Sequence, residues 1–69
     1  MKKIIEYAEK GISIAVAFDV QCFYYSQPTW YYKVGCGNDT DLSYGYDDFD
    51  EALDEAYAIA DWYLENYKD

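Results

Sequence analysis

The stretch ISIAVAFDVQC, residues 12–22, alternates between two kinds of side chain. Its even-numbered residues are all apolar, whereas its odd-numbered residues are serine, alanine, aspartate and glutamine. A period of two that lasts for the whole stretch is typical of a β-strand with one buried face. We therefore expect the first half of the chain to form an antiparallel sheet.

A second alternating run, WYYKVGC at residues 30–36, follows Pro28. Proline suits the intervening turn because it fixes φ and lacks the amide hydrogen that a strand ladder needs. A hairpin that pairs Tyr24 with Trp30 places every even-numbered side chain of both strands on one face. This pairing is the predicted register.

The same register places both cysteines, Cys22 and Cys36, on that face, with Phe18 opposite Cys36. The two thiols then lie four residues apart along the hairpin, roughly 13 Å. A disulfide cannot bridge that separation. We expect two reduced thiols that pack as small hydrophobic side chains.

Two shorter segments flank the hairpin. Residues 3–7 are predicted to form a further strand that places Ile5 and Tyr7 on the core face, and a short amphipathic helix over residues 3–9 is the alternative. Residues 42–46 follow a glycine-containing turn and alternate for long enough to form a short strand. The sheet is therefore predicted to have three or four strands.

A long C-terminal helix is predicted from about residue 48 to about residue 67. Asp47 or Asp48 can cap its first turn, and Glu51 follows Asp48 at the spacing of a capping box. At 100° per residue the apolar side chains fall on one face: Phe49, Leu53, Ala56, Ala60, Tyr63, Leu64 and Tyr67. The sequence thus predicts a single α+β domain over residues 1–69, with an antiparallel sheet over about residues 3–46 and this helix packed on one face.

Charge is distributed unevenly along the chain. Fourteen acids against five lysines, with no arginine and no histidine, give a formal charge of −9 at pH 7. Residues 39–69 contain eleven of the acids and only Lys68. Such a chain repels phosphate, so we expect it to bind neither nucleic acid nor anionic lipid directly. Without histidine it has no imidazole base for nucleophilic catalysis, and we expect a binding protein rather than an enzyme.

The acids of the predicted helix lie opposite its apolar face, together with Trp62. A solvated surface that keeps a small protein soluble is the simpler interpretation, but solubility is usually achieved with glutamate and lysine intermixed. An exposed tryptophan beside carboxylates is typical of an interface. The predicted partner-binding residues are Asp47, Asp50, Glu51, Asp54, Glu55, Asp61, Trp62 and Glu65.

Asp39, Asp41 and Ser43 have the spacing with which a calcium loop begins. The glycine comes one place late, at Gly45, and the twelfth position is Asp50 rather than a bidentate glutamate. These departures from the calcium pattern favour a polar turn followed by a helix cap. We predict no metal site and no cofactor.

No segment predicts membrane insertion. The longest apolar run, residues 14–18, is far shorter than a membrane span. Glu6 and Glu9 interrupt the one segment that begins like a signal peptide. We expect a cytoplasmic protein.

The chain is short and rich in aromatic residues, and it carries a series of carboxylates from Asp47 to Glu65. In these properties it resembles, at the level of class, small acidic phage-encoded inhibitors, namely anti-CRISPR proteins and DNA-mimicking anti-restriction proteins. Residues 48–56 with residues 62–65 also resemble the helix of HicB-type antitoxins, which neutralise an RNA-cleaving toxin. The first resemblance implies an inhibitor, in the host bacterial cytoplasm, that mimics nucleic acid and occupies a basic nucleic-acid-binding protein such as a CRISPR effector.

Two alternatives remain open. One is an immunity protein or antitoxin that neutralises a nuclease toxin. The other is a structural or assembly protein that forms a homodimer through the exposed sheet face, with Phe23, Tyr25 and Tyr31 as its aromatic contacts.

Overall fold

The computed structural model describes residues 2–20 and 28–66 of the chain. In order, the elements are helix α1 (Lys2–Glu9), strands β1 (Ile12–Asp19), β2 (Thr29–Cys36) and β3 (Asp39–Tyr46), and helix α2 (Phe49–Asn66). The three strands form one antiparallel sheet in the order β1-β2-β3. Side chains of both helices pack on the same face of this sheet, in one hydrophobic core. The predicted α+β architecture, with a long C-terminal helix on the sheet, is confirmed, and the sheet has three strands.

The even-numbered residues of β1 and β2 share the face that meets the helices, as predicted, but the predicted register is wrong. Phe18 pairs with Trp30 rather than with Cys36, and Cys36 pairs with Ile12. The difference is six residues, and an even shift leaves every side chain on its original face. The observed register places the apolar beginning of β1 opposite β2, whereas the predicted one would carry Ile12 past the end of that strand. The pairings predicted for Cys22 and Tyr24 lie outside the described residues.

The segment before β1 is a helix, so the predicted strand over residues 3–7 is wrong and its helical alternative is confirmed. Tyr7 is buried in the core, whereas Ile5 is 59% exposed. Two residues apart lie on the same side of a strand but on nearly opposite sides of a helix, which explains why the two side chains separate. The helix ends at Glu9, and the turn that follows it contains Gly11, whose φ of 88° is in the region that favours glycine.

The main core contact joins α2 to the sheet through small side chains. Ala52, Ala56 and Ala60 recur every fourth residue, and each is 0% exposed. Ala56 and Ala60 belong to the same core cluster as Tyr32 and Val34 of β2. Because alanine has only a methyl group, this stripe lets the helix backbone lie close to the sheet. Ala52 was not on the predicted apolar face, of which Phe49, Leu53 and Leu64 are half-buried and Tyr67 lies outside the described residues.

A bulge changes which residues of β3 face the helices. Trp30 pairs with Tyr46 and Tyr31 with Tyr44, so Gly45 is an extra residue with a φ of 98°. The buried hydroxyl of Thr29 accepts the Gly45 N–H at 3.1 Å. On the N-terminal side of the bulge, the odd-numbered residues of β3, from Asp39 to Ser43, therefore lie on the face that the helices cover.

Candidate protein-binding surface

Eight carboxylates lie on α2 and on the two residues that precede it. Every one of them is exposed. We call this set the acidic face, and its members are Asp47, Asp48, Asp50, Glu51, Asp54, Glu55, Asp61 and Glu65. The chain contains no lysine or arginine from residue 34 to residue 67, so this surface has no basic residue of its own helix beside it.

Packing of α2 determines which way the acidic face points. The buried alanine stripe fixes the rotation of the helix about its axis. Asp54 lies two residues from both Ala52 and Ala56, about 200° around the helix from each. It therefore points away from the sheet, and its neighbours at i±3 and i±4 form the same outer surface.

The start of the helix is organised by one of the carboxylates. Asp48 accepts the Glu51 N–H on its Oδ1 at 2.8 Å, and its carbonyl accepts the Ala52 N–H at 3.3 Å. Asp48, one of the two predicted candidates, is therefore the N-cap. The acids of the first turn also lie at the positive end of the helix dipole, where negative charge is stabilising.

The carboxylates are not evenly spaced. Six of the eight lie in residues 47–55, and only Asp61 and Glu65 follow. The gap from Glu55 to Asp61 is six residues, about 9 Å along the axis. Ala58, which is exposed, lies in this gap. The negative potential is therefore strongest at the N-terminal half of α2.

Trp62 lies at the C-terminal side of that gap and is 55% exposed. Its indole contacts the ring of Tyr63 edge-on, with centroids 5.3 Å apart. Because Ala58 and Trp62 are four residues apart, they are neighbours on the outer surface. The structure thus places a large aromatic side chain beside the carboxylates, as the sequence predicted, and its role in binding stays a prediction.

Asp61 has a second role within the fold. Its carboxylate accepts a hydrogen bond from the hydroxyl of Tyr7, which joins α2 to α1. Burial, and to a lesser extent this hydrogen bond, raises the pKa of Tyr7 to about 12. Sequence reasoning missed this contact because its partners are 54 positions apart and no local pattern connects them.

One border of the acidic face is formed by α1. The ring of Tyr7 stacks on Tyr57 of α2, with centroids 5.7 Å apart. The ammonium of Lys3 lies 4.4 Å from the centre of the Tyr57 ring, at cation–π distance. This border therefore carries positive charge, and the acidic face ends there.

On the other side, Asp39 and Asp41 of β3 extend the negative potential. Burial raises the pKa of Tyr63, and the nearby carboxylates of Asp41 and Asp39 raise it further. The sequence assigned both residues to a polar turn, but they belong to β3, where they share one face. Within the described residues no cluster of three or more acidic or cysteine side chains is arranged to hold a metal ion.

The sheet face opposite the helices carries aromatic residues. Tyr31 and Tyr44 stack there with ring centroids 4.8 Å apart, near Leu42, which is 49% exposed. Lys33 is exposed on the same face. Phe23 and Tyr25, predicted to share this face with Tyr31, lie outside the described residues.

Comparison with known proteins finds no family, no curated protein and no solved structure that matches the chain. Of the two helices that the structure describes, neither combines the length and the apolar character needed to cross a membrane. No cavity is found among residues 2–20 and 28–66.

Proposed function

We propose that this chain is a non-enzymatic inhibitor that binds a basic nucleic-acid-binding protein through the acidic face. The observation that carries the proposal is the set of eight exposed carboxylates on α2 and on the two residues before it, with no basic residue among them. Mimicry of nucleic acid by a phage anti-CRISPR protein is the specific form of the proposal, with a CRISPR effector as the partner.

The dimensions of the acidic face support mimicry. From Asp47 to Glu65 it extends about 27 Å along the helix axis. Phosphates on one DNA strand follow each other every 3.4 Å along the duplex axis, so clefts that hold nucleic acid present rows of lysine and arginine over comparable lengths. A row of carboxylates would be drawn to such a cleft at a rate that salt reduces.

Long-range attraction and short-range contact come from different residues of the acidic face and its surroundings. Carboxylates in residues 47–55 supply long-range attraction, while the exposed indole of Trp62 supplies apolar area that can be buried on contact. Asp61 is held by Tyr7 and presents its charge in a fixed orientation. Binding therefore loses little conformational entropy at this end of the surface.

The test is affinity capture of CRISPR effectors from bacterial lysates, followed by measurement of binding to the purified effector with and without excess duplex DNA. The variant Asp54→Lys/Glu55→Lys changes the net charge from −9 to −5. We expect it to lose capture. DNA and added salt should both displace the unaltered chain from the effector.

The matched control is Glu6→Lys/Glu9→Lys, which also changes the net charge to −5 at two exposed helical positions. We expect this variant to retain most of the binding. Equal loss in both variants would show that only total charge matters and would contradict a binding face on α2. Capture of a small basic nuclease in place of an effector would favour the antitoxin alternative, which uses the same face.

A further inference from the structure

The two outer strands of the sheet differ in their protection against pairing with another strand. Each has β2 as its only neighbouring strand among the described residues. Natural edge strands usually carry charges, proline or a bulge that discourages an added strand. β3 has Asp39, Asp41 and the bulge at Gly45, whereas β1 has no such feature from Ile12 to Phe18.

Exposed hydrophobic side chains gather on the same side. The described residues contain five large hydrophobic side chains that are exposed, and three of them lie on or next to β1. Phe18 of β1 is 47% exposed, and Val20, which follows the strand, is 67% exposed. Ile5 of α1, the helix that packs on β1, is 59% exposed. Such a concentration around an edge strand that lacks charges and a bulge from Ile12 to Phe18 is typical of a contact surface.

Charge also favours contact at this edge. Residues 2–20 contain three lysines and three acids, a net charge of zero, whereas residues 28–66 contain one lysine and ten acids, a net of −9. Two copies that meet through β1 therefore join through the part of the chain that carries no net charge. Lys10 precedes β1 and Asp19 ends it, so antiparallel pairing of two such strands brings unlike charges together at both ends.

We propose that the outer edge of β1 pairs antiparallel with β1 of a second copy of this chain, which joins the two sheets into one of six strands. Opposed residues of antiparallel strands point to the same side. Both α2 helices, with both acidic faces, then lie on one side of the joined sheet. Phe18 of each copy lies near the α1 end of the other copy, where Ile5 is exposed. This surface is separate from the acidic face, and the proposal does not depend on what the acidic face binds.

The test is sedimentation equilibrium of the whole chain over concentrations up to about 1 mM. We expect a contact that consists mainly of one strand pair to be weak, so the dimer should dissociate on dilution. The variants Ala15→Lys and Ala15→Glu place a charge at an exposed position in the middle of β1. Both should remain monomeric over the range in which the unaltered chain dimerises, although one lowers the net negative charge and the other raises it.

Thr40→Lys is the matched control, because it adds the same charge at an exposed position of the other edge strand. It should leave the dimerisation constant within about twofold. Far-UV circular dichroism should show that all variants are folded. A chain that is monomeric throughout, dimers of both Ala15 variants, or equal dissociation of Thr40→Lys would each overturn the proposal. Loss of dimerisation together with retained effector binding would leave the function of the acidic face intact.

Discussion

Replacement of Asp48 by alanine tests the organisation of α2 most directly. Asp48 is one of eight carboxylates in the acidic face, but it alone of them is seen to cap the helix, through the 2.8 Å hydrogen bond from the Glu51 N–H. The substitution removes this acceptor and leaves the amide to water. Asp47→Ala removes the same charge one residue earlier and leaves the cap in place.

The expected magnitude follows from three contributions. Loss of the cap costs about 1 kcal/mol, and loss of a negative charge beside the helix N-terminus costs about 0.5 kcal/mol. Relief of repulsion from the neighbouring carboxylates returns a few tenths of a kcal/mol, about as much as one like-charged pair at i,i+3 or i,i+4. Asp48→Ala should therefore lower the free energy of unfolding by about 1 kcal/mol, whereas Asp47→Ala should change it by less than about 0.5 kcal/mol.

Urea denaturation followed by far-UV circular dichroism measures both changes. With an m-value of about 1 kcal/mol/M for so short a chain, the midpoint for Asp48→Ala should fall by about 1 M. The thermal midpoint should fall by about 4–8 °C. Asp48→Asn keeps an acceptor at the cap and should recover most of the loss. An unchanged midpoint for Asp48→Ala, or an equal loss in Asp47→Ala, would refute the assignment of the cap.

Two further predictions concern the core. Burial raises the pKa of Tyr7 and of Tyr32 to about 12 from 10.0, so the folded chain holds these protons at a pH where the unfolded chain releases them. The free energy of unfolding, measured by urea titration, should therefore fall as pH rises from about 10 to about 12, and Tyr7→Phe should make that fall shallower. The variant should also be less stable at neutral pH by about 1 kcal/mol, because it loses the hydrogen bond to Asp61. An equally steep fall in the variant would contradict the assignment of the raised pKa to Tyr7. Ala56→Leu should destabilise the fold by about 1–3 kcal/mol because its methyl group is fully buried against the sheet. The same change at exposed Ala58 should cost less than about 0.5 kcal/mol by thermal unfolding, and similar losses at both positions would contradict the described rotation of α2.

The helix α2 was the part of the fold that local pattern could predict most fully. Its predicted range, about 48–67, differs by one residue at each end from Phe49–Asn66. Eighteen residues provide several turns over which the apolar and acidic positions separate, and Asp48 followed by Glu51 marks the start. The exposure of the predicted partner-binding residues from Asp50 to Glu65 follows from this periodicity.

The sequence predicted which residues of β1 and β2 share a face of the sheet, but it did not predict the register in which the two strands pair. Alternation of period two is unchanged when one strand slides by an even number of residues. The observed pairing of Phe18 with Trp30 places the apolar start of β1 in a core to which α2 contributes from far along the chain. The strand predicted over residues 3–7 was wrong for a related reason, because the apolar pattern of so short a segment is compatible with both the strand and the helix period.

The rotation of α2 and the charge on its outer surface have separate causes. Ala52, Ala56 and Ala60 decide which side of the helix meets the sheet, and that contact would be the same with lysines on the outer surface. Lysines after the first turn would in fact stabilise the helix, because Asp50 and Asp54 are like-charged neighbours at i,i+4 and cost a few tenths of a kcal/mol, as do two further pairs. Neither packing nor helix formation therefore explains why every charged residue of this helix is acidic. Attraction to a basic partner, the function that we propose for the acidic face, would act on the outer surface alone and would explain it.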